Sequence, residues 1–158
     1  MNRSAALACG RLRRARGFVA LLCLGLTACT GDWVPFSGGA LEGPVTPAPA
    51  DWRTVMTDEV IQLETQPGDP YSVNLWVVAG EDRLYIFAGA NRATWIEHIE
   101  VDPRVRLRAD GRIYELRADR VRSADEFEQF AQQWEAKYGD RPRNESVDET
   151  WLMRLTPR

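Results

Sequence analysis

The sequence has few of the residues that build metal or redox-active sites: three cysteines and one histidine, His98, in 158 residues. A lone histidine cannot form a histidine cluster, and we predict no metal site. Cys9 and Cys23 lie in an N-terminal segment that we expect to be removed, and Cys29 lies where we expect a lipid. On this interpretation the mature chain has no thiol, which excludes a disulfide framework, a cysteine nucleophile and a cysteine-bound metal.

Long apolar runs are also missing, and the apolar run from Phe18 to Leu26 is far shorter than the ~20 residues that span a bilayer. Five arginines and no acidic residue precede this run, and the small residues of Leu26-Thr27-Ala28-Cys29 follow it. A basic part, an apolar part and a small-residue cleavage site are typical of a secretory signal. The cysteine directly after Leu-Thr-Ala indicates the bacterial lipoprotein version.

We therefore predict a signal peptide over residues 1–28 and lipidation at Cys29. The alternatives are an ordinary signal peptide or an uncleaved anchor. The lipid would make the membrane a partner of the chain, because several acyl chains give stable anchoring. Since Thr30 and not aspartate follows the cysteine, we expect a cell-envelope location, at the outer membrane and facing the periplasm.

Without residues 1–28 the chain has 15 basic and 23 acidic residues, a formal charge of −8. This acidic balance argues against nucleic acid as a partner. Prolines and glycines predict that residues 29–50 are a flexible tether, and residues 51–158 suit a single domain. Trp33 and Phe36 are apolar for a tether, and we leave open whether they contact the membrane or the domain.

Alternating apolar residues predict six strands in residues 51–158. Asp110-Gly111 is typical of a two-residue type I′ hairpin turn between the fourth and fifth strands. The alternation slips by one near Arg120-Val121, which we interpret as a bulge or a barrel corner. The predicted strands are Val60 to Thr65, Tyr71 to Ala79, Arg83 to Ala88, Arg104 to Ala109, a return strand through Asp119, and Trp151 to Leu155.

Two helices interrupt the strands. The long helix starts with a capping box, Ser123 at the N-cap and Glu126 at N3, and Gly139 ends it. Its aromatic stripe, Phe127 to Tyr138, could be a shelf for a cofactor, but core packing is the favoured interpretation. The short helix covers about residues 93–101. This order predicts a mainly β, α+β domain: a small, mostly antiparallel six-stranded barrel with one short and one long outer helix.

Several segments together resemble one superfamily, the flavin-binding split β-barrel proteins. It includes pyridoxamine-phosphate-oxidase-like proteins and deazaflavin-dependent nitroreductases. A tryptophan-bearing short helix, a Pro-Arg-Val opening into a strand, a glycine hairpin and a strand ending in alanine and a charged residue occur in the same order. The matching residues are Leu75-Trp76-Val77-Val78, Arg83 to Ala88, Trp95 to Ile99, Asp102 to Leu107, Gly111 and Ala118-Asp119.

The resemblance implies a six-stranded split barrel that forms a homodimer and binds FMN or the deazaflavin F420 at the subunit interface. The phosphate would lie against the segment between the third strand and the short helix, at Asn91, Arg92, Thr94 and Trp95. A helix N-terminus and an arginine suit an anion. Asn74 would add a contact from the second strand. The alternative is that Asn91 or Thr94 caps the helix, Thr94 with Glu97 as a capping box, and Arg92 is a solvated surface charge.

Two classes of function follow. In the first, the chain is a lipid-anchored oxidoreductase-like protein that binds FMN or F420 and transfers hydride to a small-molecule substrate. Haem is a third, less favoured ligand, because related split barrels bind it but His98 stands alone. In the second class the barrel has no cofactor and is a binding or structural module of the envelope. The catalytic residues are unknown from the sequence.

Overall fold

The computed structural model describes residues 38–158. The predicted signal peptide, Cys29, Trp33 and Phe36 lie outside the described residues. The first, second and fourth predicted strands and the long helix are confirmed to the residue, and the ends of the third, fifth and last strands and of the short helix differ by one or two positions. The elements are β1 Val60–Thr65, β2 Tyr71–Ala79, β3 Leu84–Phe87, α1 Thr94–Val101, β4 Arg104–Ala109, β5 Arg112–Arg120, α2 Ala124–Tyr138 and β6 Leu152–Pro157, with a short 3-10 helix at Trp52–Thr54.

The six strands form a closed barrel in the order β1-β2-β3-β6-β5-β4, and every neighbouring pair is antiparallel. The predicted hairpin turn is confirmed, since Asp110 and Gly111 both have positive φ, 48° and 68°. Positive φ at both central residues defines a type I′ turn, whose twist matches that of the two strands. β2 pairs with β1 from Tyr71 to Trp76 but with β3 only from Val77 to Ala79.

The barrel interior is filled by apolar side chains from alternate positions of each strand. The inward residues of β2 are Val73, Leu75, Val77 and Ala79, as the alternation predicts. Leu63, Leu107, Leu116 and Leu155 are each 0% exposed. α1 adds Trp95, Ile96 and Ile99 to this core.

α2 packs on the outer face of the barrel and creates a second apolar cluster with Tyr85 and Phe87 of β3. Phe127, Phe130 and Trp134 of its aromatic stripe are buried in this cluster, as the favoured interpretation predicts, and Tyr138 is partly buried against it. Ser123 accepts a hydrogen bond from the Glu126 N–H, and Gly139 ends the helix at φ 90°. None of the helices in residues 38–158 has the length and apolar character to cross a membrane.

The bulge predicted near Arg120-Val121 is wrong. β5 stays in register with β6 through Arg120, which lies opposite Met153. Val121 belongs to the outer cluster under α2. Alternation therefore continues without a slip, and Val121 is buried because the helix covers the outer face at that point.

Residues 38–46, which we name the strap, lie along the outside of the barrel. Gly38 exchanges two backbone hydrogen bonds with Ser72 of β2, at 2.8 and 2.9 Å. The Leu41 N–H donates to the buried carboxylate of Glu64 at 2.5 Å. Thr46 N–H donates to the Ile113 carbonyl of β5 at 2.8 Å. Part of the segment predicted as a tether therefore contacts the domain, and the boundary between the two stays a prediction.

Candidate ligand-binding site

A ligand of this domain has to bind outside the barrel, because side chains fill the interior. A cavity of about 610 Å³ lies on the outer face, between β2, the loop after β3, the end of α2 and the loop that follows α2. Its wall is formed by Trp76, Phe87, Trp134 and Tyr138. We name it the aromatic cleft. Two other cavities, of about 380 and 330 Å³, are lined mainly by charged and polar side chains.

The four rings of the wall support one another. The Trp76 ring stacks on Tyr138, with centroids 5.4 Å apart and planes at 24°. Trp134 contacts both, at 5.6 Å from Trp76 and 4.7 Å from Tyr138. Trp134 is 8% exposed, whereas Trp76 is 56% exposed. Trp76 therefore presents ring surface to solvent, at a place where the rings behind it are fixed.

The end of α2 forms hydrogen bonds to β2, and these bonds hold the Tyr138 ring in place. The Tyr138 hydroxyl donates to the Val77 carbonyl at 2.8 Å, and Lys137 Nζ donates to the same oxygen at 2.9 Å. Burial raises the pKa of the Tyr138 phenol, so it stays protonated and remains a donor at neutral pH. The stacking partner of Trp76 is thus held in place by hydrogen bonds to the strand that carries Trp76.

The loop after α2 forms a polar rim with two arginines. Arg141 makes ion pairs with Glu145 at 2.6 Å, Glu128 at 2.8 Å and Glu135 at 3.6 Å. Hydrogen bonds to Glu145 and then Glu128 raise the pKa of Arg141 above its ordinary value. Arg143 is exposed and lines the cleft, and within residues 38–158 it forms no ion pair.

The structure brings some of the predicted site residues to the cleft. Asn91 lines it, and Asn74 lies on the outer face of β2, two residues before Trp76. Trp95 is 4% exposed and packs into the barrel core. Thr94 is exposed as the first residue of α1.

Arg92 is exposed but is occupied by two carboxylates. Its Nη2 lies 2.5 Å from Glu100, and its Nε lies 3.6 Å from Glu97. The N-cap of α1 is Ala93, with no side-chain cap, so the capping alternatives for Asn91 and Thr94 are wrong. Whether Arg92 or the other predicted residues contact a cofactor stays a prediction.

The sequence did not identify Trp76, Arg141 and Arg143 as residues of a binding site. The alternation placed Trp76 on the outer face of β2, and the stripe of α2 extended to Tyr138, but nothing in either pattern paired them. His98 lies elsewhere: its Nδ1 is 3.0 Å from Thr65 Oγ1, and its ring packs at 90° against Tyr71. Among the described residues, no cluster of His, Cys, Asp and Glu side chains could hold a metal ion.

The chain matches no protein-family model and no curated protein sequence. It does share its fold with solved structures. An FAD-binding protein from Mesorhizobium loti superposes with a TM-score of 0.50 and 20% identity, over 67% of this chain and 84% of that protein. The haem storage protein HutZ from Vibrio cholerae superposes with a TM-score of 0.52 and 18% identity, over 67% of this chain and 86% of that protein.

These likenesses confirm the predicted fold class. The domain is a six-stranded, antiparallel closed β-barrel with two helices, and it shares this fold with the FAD-binding protein and the haem storage protein. At this level of identity the comparison concerns the fold, and activity has to be argued from the cleft.

Proposed function

We propose that this chain is a lipid-anchored envelope protein that binds a flavin or deazaflavin in the aromatic cleft and acts as an oxidoreductase on a small molecule. The main observation is the exposed ring of Trp76 at the wall of an apolar cavity. Ligand pockets of about 300–1,000 Å³ with mostly apolar walls and a few polar groups are typical of small-molecule sites. The cleft has this size and composition, and all its polar lining groups except Asn91 and the Tyr138 hydroxyl lie in the loop after α2.

The residues present suit a planar ring with a polar tail. A flat heterocycle gains stacking energy on an exposed indole, in an offset or tilted arrangement. The stacked Tyr138 and the buried Trp134 support the indole from behind, so that it would not have to be ordered on binding. A bound flavin would supply the hydride chemistry, and the chain would bind, orient and shield it from water.

The second candidate is a cofactor-free binding or structural module of the envelope. The observation that favours it is the pairing of Arg92 and Arg141 with five glutamates, because paired guanidinium groups have less to offer a phosphate. Haem is less favoured, since His98 Nδ1 is engaged with Thr65 and His98 does not line the cleft.

The test is titration of the mature chain with FMN, F420 and haem, followed by fluorescence and absorbance. We expect binding of FMN or F420, and about tenfold weaker binding by Trp76→Ala, because an aromatic contact of this kind is worth roughly 0.5–1.5 kcal/mol beyond its buried area. Val101→Ala, an 88% exposed residue at the end of α1, is the matched control and should bind as wild type does. If wild type binds none of the three ligands at saturating concentration, the cofactor-free module replaces this proposal.

Location and assembly are further parts of the proposal. The lipobox at Cys29 supports an anchor in the outer membrane facing the periplasm, and the split-barrel resemblance supports a homodimer. Membrane fractionation and sedimentation equilibrium of the mature protein test these two points separately.

A further inference from the structure

We propose that Arg143 is the residue that selects a phosphorylated ligand in the aromatic cleft. This inference rests on the proposed function, because it assumes that the cleft binds a ring. It assigns the recognition of the ligand's phosphate ester to the loop after α2, whereas the sequence pointed to Arg92 before α1.

The distribution of charge around the cleft leads to Arg143. Arg92, next to Asn91 of the cleft wall, is neutralised by Glu97 and Glu100. Arg141, on the rim itself, is shared among three glutamates. Arg143 lines the same rim and has no ion pair within the described residues. Its guanidinium is therefore not shared with a carboxylate of the described residues, and its forked donors can bind a ligand.

The loop holds Arg143 between two fixed neighbours. On one side, Pro142 is buried and its φ is restricted by its ring. On the other side, Asn144 Oδ1 accepts the Ser146 N–H at 2.9 Å, which closes a local turn. Arg141 joins the start of the loop to α2 through Glu128 at 2.8 Å. Because the backbone on both sides is already ordered, a ligand would have to immobilise mainly the Arg143 side chain.

The lining of the cleft has an apolar side and a polar side, which would contact different parts of a ligand. Trp76, Phe87 and Trp134 form an apolar wall, while Arg143 and Asn144 lie on the polar rim. Asp140 is the acidic residue of that rim, so an anionic group is expected on the Arg143 side and not beside Asp140. A planar ring that carries a phosphate ester has this division of character, and the same ring without phosphate lacks the second contact.

The experiment compares FMN with riboflavin, which has the same ring system and no phosphate. Dissociation constants are measured by fluorescence for wild type, Arg143→Ala, Arg143→Lys and a matched control, Arg122→Ala, an exposed arginine outside the cleft lining. We expect Arg143→Ala to weaken FMN about tenfold, the lower end of the range for charged hydrogen bonds because the site is exposed. Riboflavin affinity should stay within about twofold, and Arg143→Lys should lie between wild type and alanine.

Ionic strength gives a second readout. Wild-type affinity for FMN should fall with added salt, and the fall should be shallower in Arg143→Ala, since an exposed ion pair is screened. Equal losses for FMN and riboflavin, or no loss for FMN, would overturn the role of Arg143 while leaving the aromatic cleft as the ring site. If wild type binds neither FMN nor riboflavin, this inference is overturned, and the proposed function is overturned with it only if F420 does not bind either.

Discussion

Replacing Glu64 with alanine should destabilise the domain and release the strap. The Glu64 side chain is 3% exposed and accepts hydrogen bonds from two donors: the Leu41 N–H at 2.5 Å and Arg106 Nη1 at 3.0 and 3.1 Å. An orphaned buried N–H costs about 1–3 kcal/mol. The Arg106 side chain is 24% exposed, so its guanidinium can be hydrated once Glu64 is removed. Loss of this ion pair should therefore cost less than the 3–5 kcal/mol typical of a broken buried pair. Together we expect a loss of about 2–4 kcal/mol.

Urea unfolding measures this loss, and hydrogen exchange at the Leu41 amide reports on the strap directly. Glu64→Gln keeps an acceptor for Leu41 and should cost roughly half as much. Glu115→Ala is the matched control, because Glu115 pairs with Arg158 at 3.0 Å on the surface, with side chains 44% and 33% exposed. It should cost less than about 0.5 kcal/mol. If Glu64→Ala cost no more than Glu115→Ala and left Leu41 protected, our account of the strap would be wrong.

Four further outcomes are expected. Phe130→Ala, at a side chain that is 0% exposed between α2 and β3, should cost about 3–5 kcal/mol in urea unfolding. Gly139→Ala should cost about 1–2 kcal/mol in the same assay, because its φ of 90° is unfavourable for a residue with a Cβ. Burial, and then its hydrogen bond to Glu126, raises the pKa of Tyr85 from 10.0 to about 12. Stability from this group is therefore complete below pH 10 and lost as the pH rises towards 12, and Tyr85→Phe should flatten that decline in denaturation followed across the alkaline range. Cys29→Ala should leave an unprocessed or soluble precursor that does not partition into detergent, and a mutant that still runs at mature size with the membranes would contradict the lipoprotein assignment.

The fold could be predicted largely because its signals are local. Asp110-Gly111 determines a turn by backbone preference alone, and Ser123 and Gly139 mark the ends of α2 in the same way. The slip proposed at Arg120-Val121 was wrong because alternation alone does not show that a helix covers an outward-facing residue. The strap could not be predicted either, since it adds single contacts such as Gly38 with Ser72 and has no periodicity.

The site was less predictable, because it combines residues far apart in the chain. The rings of Trp76 and Tyr138 come into contact only when α2 packs on β2. This contact depends on tertiary packing, which the local sequence pattern does not show. Arg92 looked available in the sequence because the glutamates that pair with it are five and eight positions later, on α1. A count of charges near a predicted loop cannot show which of them are already neutralised.

The pairing of Gly38 with Ser72 sets the reach of the domain from the membrane, if Cys29 is the lipidated residue. Gly38 is nine positions after Cys29 in the sequence, and an extended chain gains at most about 3.3–3.6 Å per position. The chain from Cys29 to Gly38 then spans at most about 32 Å, whereas a tether running to residue 50 could span about twice that distance. Gly38 also pairs with the strand that carries Trp76, so a lipid at Cys29 would limit how far the domain and its cleft can move from the bilayer.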